Sequence, residues 1–178
     1  EGYLVLPVED RGSLDWIRER IAGLTAEHLG EAEPDDPDGF LNTVHERVAP
    51  ADLNDLRLQV IRRLNAEAEL RPRYFSLVRG SLECLVGNEL CMQRKVNLSI
   101  QLPDDDSSLL PIHGDVLNGD SPFEVVQWTP FVDVYSTKSM FILPPDKSAE
   151  VQNRLAGLED EGNTGLMQEV EDDLVWLD

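Results

Sequence analysis

Two hydrophobic periods divide this chain near Arg94. Before it, apolar residues recur every three or four positions, the spacing of one helix face. Leu14, Ile17, Ile21 and Leu24 follow Ser13, which reads as an N-cap, and predict a first helix. Residues 30–39, GEAEPDDPDG, read as a polar loop. A second helix is expected from Pro50 or Ala51, with Leu53, Leu56, Val60, Ile61 and Leu64 on one face. Pro72 closes it or opens a third over 72–86, with Phe75, Val78, Leu82 and Leu85 inward. A short strand is expected earlier, at 3–7. These helices read as scaffold, because amphipathic helices ordinarily cover a sheet.

After Arg94 the period is two. Val96, Leu98, Ile100 and Leu102 alternate with Asn97, Ser99 and Gln101, the pattern of a half-buried strand. Further strands are expected at 109–113, 124–128, 131–136 and 139–143, a short helix at 147–157 and a last strand from about Asp173. Turn signals separate them at Pro103-Asp104, Asn118-Gly119-Asp120 and Thr129-Pro130. The expected fold is mainly β, a barrel or jelly roll braced by N-terminal helices. Residues 1–178 read as one domain, with 1–93 as strand and helical support and 94–178 as β core. Neither a βαβ alternation nor a phosphate-binding glycine fingerprint is present.

Charge narrows the partners. The formal net charge is −20, with 35 acids and only three lysines, Lys95, Lys138 and Lys147. Such a surface repels phosphate backbones, so nucleic acid is not an expected partner. It suits solubility, or high salt, since Arg outnumbers Lys. No apolar run reaches the ~18 residues of a membrane span, and no signal peptide is visible. Cys84 and Cys91 form no disulfide framework and read as buried or half-buried thiols in a reducing cytoplasm. The chain lacks an initiator Met, and Leu174–Asp178 reads as a strand just begun, so a processed or truncated protein is expected.

Chemistry concentrates at His113-Gly114-Asp115, which ends an apolar run and precedes a Gly/Asn turn. On a strand, residues i and i+2 share a face, so an imidazole and a carboxylate meet at one point. These are two of the three ligands of the facial triad that holds non-haem Fe(II). The bland alternative is a hydrogen-bonded His–Asp pair. Asp104-Asp105-Asp106 reads as a solvated loop or lid, not a magnesium site.

H-x-D is followed by N-G-x-S-P-F-E-V-V-x-W-x-P-x-V-D and then T-x-S-M-F-I-L-P. Over residues 94–145 this resembles the Fe(II)/2-oxoglutarate-dependent oxygenases. It is most similar to the branch found in bacterial carbohydrate-biosynthesis clusters, and more distantly to the phytanoyl-CoA hydroxylase type. The resemblance implies a cupin-like double-stranded β-helix, with His113 and Asp115 as the first two iron ligands. It also implies 2-oxoglutarate and O2 as co-substrates, succinate and CO2 as products, and hydroxylation of a sugar, sugar nucleotide or related intermediate. Gln101 (with Ser99) and Lys138 are expected contacts of the co-substrate or substrate, or else solvated polar residues. Trp128 is expected in the barrel wall, or stacked on a sugar. A homodimer is compatible with this reading. The family's distal His and 2-oxoglutarate-binding Arg have no counterpart here, since no His follows His113 and the last Arg is Arg154. Either they lie beyond Asp178, or the chain is an inactive member. The rival readings are a non-catalytic β-barrel binding module and a cupin-like sugar isomerase or epimerase.

Overall fold

The computed structural model describes residues 2–103, 113–115, 119–135, 138–155 and 171–177. The chain forms two compact units, Val5–Ser108 and Leu109–Asp178 with Glu1–Leu4. The first is helical: α1 (Arg11–Leu29), α2 (Pro37–Asn42), α3 (Pro50–Leu64), α4 (Leu70–Ser76) and α5 (Arg79–Val86). The second holds strand β1 (Met140–Ile142), helix α6 (Pro145–Leu155) and strand β2 (Val175–Leu177).

Helix α1 organises the first unit. Its stripe Leu14, Ile17, Ile21 and Leu24 is buried as the spacing predicts, and Ala22 and Ala26 widen it. Helices α2, α3 and α4 pack on it, and α3 contributes Leu53, Leu56, Val60 and Leu64 to the shared core. Polar pairs rim this core. Arg63 meets Glu27 at 2.6 Å, Arg20 meets Glu67, and the Arg73 guanidinium lies 4.8 Å from the Trp16 ring centroid. The start of α1 is capped by Asp10 rather than Ser13: Asp10 accepts from the Ser13 N–H at 3.0 Å and from the Ser13 hydroxyl at 2.7 Å. Its end is a left-handed Gly30 (φ 72), where the Gly30 and Glu31 N–H groups cover the last carbonyls.

The expected 72–86 helix is two helices, broken at Leu77-Val78. Leu70 and Leu77 are the buried residues there, whereas Leu85 is exposed. Glu9 caps the start of α5, accepting from the Gly80 N–H (2.7 Å), the Ser81 N–H (2.9 Å) and the Ser81 hydroxyl (2.7 Å). Ser76 donates to Asp10 at 3.0 Å. Residues 9 and 10 thus clasp three helix ends with two carboxylates. Both carboxyls are held below their usual range, Glu9 chiefly by the Ser81 hydroxyl and Asp10 chiefly by the Ser13 hydroxyl. Residues 30–39, read as loop throughout, hold the first turn of α2, with Asp36 as its cap and Pro37 at its first position.

The mainly-β expectation, the double-stranded β-helix or jelly roll, is overturned. Among the described residues there are six α-helices and one two-stranded antiparallel sheet. Residues 96–102 show the reason. Burial alternates as the pattern predicts, with Val96 and Leu102 buried and Asn97, Ser99 and Gln101 exposed. Yet among the described residues no strand lies beside them. The Asn65 side chain, at the end of α3, instead donates to the Val96 carbonyl (2.9 Å) and accepts from its N–H (2.8 Å). Alternation reports which face is buried; a strand also needs a neighbour for its backbone groups.

The other strand expectations divide in the same way. Residues 3–7 are irregular, with Leu4, Val5 and Leu6 exposed, and 124–128 and 131–135 are irregular too. Residues 104–112 and 136 lie outside the described residues, so the expected 109–113 strand and the Asp104–Asp106 loop do as well. Only 139–143 and the last strand pair, in the register Met140↔Leu177, Phe141↔Trp176, Ile142↔Val175. Phe141 and Trp176 meet edge to face at 5.2 Å, and the Ser139 hydroxyl donates to the Leu177 carbonyl. The Pro144-Pro145 pair then turns β1 into α6, close to the expected 147–157 helix. Lys147 of α6 meets Asp173 at 3.2 Å.

Leu56 is fully buried, so Leu56→Ala should lower the unfolding free energy of the helical unit by about 2–5 kcal/mol in urea titration. The exposed Leu58→Ala should change it by less than about 0.5 kcal/mol. A depressed folded-state pKa stabilises above the ordinary carboxylate range and is lost as pH falls through the folded value. The stability gap between wild type and the Glu9→Gln/Asp10→Asn double variant should therefore be full at pH 6 and close on acidification; a constant gap from pH 6 to 3 would discount the clasp. With a net charge of −20, the melting temperature should rise as NaCl is raised from low ionic strength.

Candidate functional site

His113 and Asp115 lie in the second unit and not on a strand: His113 is in irregular backbone and Asp115 is in a 3-10 turn. Their side chains nonetheless converge, with His113 Nε2 3.6 Å from Asp115 Oδ1. The turn that follows fixes the Asp115 backbone: the Asp120 N–H donates to the Asp115 carbonyl at 3.1 Å. Gly119 sits in that turn at φ 100, a conformation that L side chains rarely adopt. Ser121 starts a second turn, its carbonyl accepting from the Glu124 N–H at 3.0 Å and its hydroxyl from the Phe123 N–H at 3.2 Å. The Gly/Asn/Asp/Ser stretch read as a turn from sequence thus anchors the pair on its C-terminal side.

At 3.6 Å the imidazole nitrogen and the carboxylate oxygen are too far apart for a hydrogen bond. Two atoms on neighbouring corners of an octahedral metal, each about 2.1 Å from it, stand about 3 Å apart. A small side-chain rotation closes that gap, and both side chains are half-exposed, 40% and 49%, so both have room to make it. At the observed separation the two side chains make an ion pair when the imidazole is protonated. Among the described residues, no three His, Cys, Asp or Glu side chains come together in a metal-holding group.

The remaining predicted site residues fall in different places. Lys138 belongs to the same unit as the pair, and its ammonium lies 5.2 Å from the Tyr135 ring centroid. Gln101 belongs to the helical unit and is exposed, on the outward phase of 96–102. Trp128 is exposed rather than packed in a wall, and so are Phe123, Val125 and Val126. The other two histidines are in the helical unit: His28 faces Asp55 at 3.7 Å and His45 is exposed in the 3-10 turn Val44–Glu46.

Sequence reasoning misjudged one pair of chemically active groups. Cys84 and Cys91, expected buried or half-buried, are both exposed free thiols. The signal for that was available in Gly87-Asn88-Glu89, a helix stop and two polar residues between them. Among the described residues, no helix is long and apolar enough to cross a membrane. Comparison with protein-family models, with curated proteins and with solved structures finds no match, so the oxygenase resemblance rests on the residues of this chain.

Proposed function

We propose that this chain carries the first two iron ligands of an Fe(II)/2-oxoglutarate-dependent oxygenase acting on a small, carbohydrate-type molecule. The observation that carries the reading is the approach of His113 Nε2 to Asp115 Oδ1 at 3.6 Å. At that distance the two side chains form an ion pair when the imidazole is protonated, and they are also of the types that ligate a shared divalent cation. Bound there, Fe(II) supplies oxygen activation coupled to decarboxylation of 2-oxoglutarate. His113 gives a neutral nitrogen donor and Asp115 a charged oxygen donor, which together leave most of the coordination sphere to small molecules. The Asp120–Asp115 backbone bond and the Gly119 turn hold the carboxylate's backbone while its side chain adjusts. Lys138 offers a cation for a 2-oxoglutarate carboxylate, and the exposed Trp128 offers an apolar face for a sugar ring. The resemblance implies a second His as the third protein ligand, and no His follows His113 in this chain. The acidic surface disfavours nucleic acid, and free thiols suit a cytoplasmic location.

Anaerobic titration of the full-length protein with Fe(II) and 2-oxoglutarate tests this, read as the weak visible charge-transfer band of such complexes. The band should appear in wild type. His113→Ala and Asp115→Ala should each weaken Fe(II) binding on the order of 100-fold, with circular dichroism unchanged. A folded full-length protein without the band would sink the oxygenase reading. Hydroxylated product with stoichiometric succinate would separate it from a sugar isomerase.

A further inference from the structure

Cys84 lies in the last turn of α5, and Cys91 lies seven residues later in irregular backbone. Every residue from 84 to 91 is exposed. Gly87 ends α5 at φ 81, with open space where a Cβ would stand. The chain is caught again at once: the Met92 carbonyl, next to Cys91, accepts from Arg71 of α4 at 3.0 Å. Helices α4 and α5 pack on each other. Four residues further on, Asn65 grips Val96 through both backbone groups. One thiol thus stands on a helix that packs on α4, and the other is one residue from a backbone tie to α4. The six residues between them carry a single glycine bend and lie wholly on the surface.

We infer that Cys84 and Cys91 form a reversible intramolecular disulfide when a hydroperoxide is present. One thiol sulfur attacks the peroxide oxygen, giving a sulfenic acid and releasing the oxygen of the leaving group as water or alcohol. The second thiol sulfur then displaces the sulfenic oxygen as water, so two thiols and one peroxide give one disulfide, one water, and one further water or alcohol. A six-residue spacer keeps the second thiol at a high effective concentration, so ring closure outpaces capture by another molecule. Transient redox-sensing disulfides of this kind are the form expected in a reducing compartment. The bond would strap the free end of α5 to the segment that Arg71 and Asn65 already hold. This inference is independent of the iron reading, since both cysteines belong to the helical unit.

Oxidation of the purified protein with one equivalent of hydrogen peroxide, followed by thiol counting, peptide mapping and intact mass, tests it. The expected result is loss of both thiols, a mass lower by two hydrogens and a crosslinked peptide spanning 84 and 91. The product should stay monomeric on a non-reducing gel, keep its helical circular dichroism, and return to two thiols with dithiothreitol. Cys84→Ser and Cys91→Ser remove exposed side chains and should fold normally, yet each should block the crosslink and leave its remaining thiol open to glutathionylation. Disulfide-linked dimers as the main product, sulfinic or sulfonic acids in place of the crosslink, unreacted thiols, or loss of helical signal on oxidation would each overturn the proposal.

Discussion

A helix satisfies its own backbone, whereas a strand must find its partners elsewhere in the chain. That asymmetry shapes both units. Helices α1 to α4 form where apolar residues meet neighbours that cover them, and α1 is the face on which α2, α3 and α4 settle. Residues 96–102 have a strand's stripe but, among the described residues, no strand beside them. Their first buried residue, Val96, has its N–H and C=O taken by the Asn65 side chain, one amide doing locally what a neighbouring strand does along a ladder. Among the described residues only Met140–Ile142 and Val175–Leu177 meet as strands, and their aromatic pair Phe141–Trp176 lies directly across the register.

The same need for partners sets the ends of the helices. Asp10 and Glu9 are adjacent in sequence, yet one caps α1 and the other caps α5. Two neighbouring carboxylates thereby tie the entry of the first helix to the α4–α5 junction, with Ser13, Ser76 and Ser81 as intermediaries. In so acidic a chain these are acids whose charge has been given dedicated donors. Other acids face arginines, among them Glu27 and Glu83, and each raises the pKa of its arginine partner chiefly through a side-chain hydrogen bond.

At the candidate site the pattern that mattered was spacing rather than period. His113 and Asp115 approach each other without a strand, Asp115 lying in a 3-10 turn, where its carbonyl accepts from the Asp120 N–H. Gly119 and Asp120 supply that turn. The motif was legible for this reason: its geometry is short-range. Lys138 and Gln101 were proposed as neighbours of the pair through a sheet, and that kind of proximity depends on long-range pairing that local sequence does not encode.

The sequence by itself determined the helical stripes of α1 and α3, the proline start of α3, the alternating burial of 96–102, the last two strands and the H-x-D spacing. Each is a local property, written in 3.6- or 2-residue periods, caps and turns. Tertiary structure alone decided that Asp10 rather than Ser13 caps α1, that 72–86 breaks at Leu77, and that alternation at 96–102 meets an asparagine rather than a strand. Those outcomes turn on which distant group competes for a backbone atom or covers a side chain, and a period along the chain carries no record of what lies across from it.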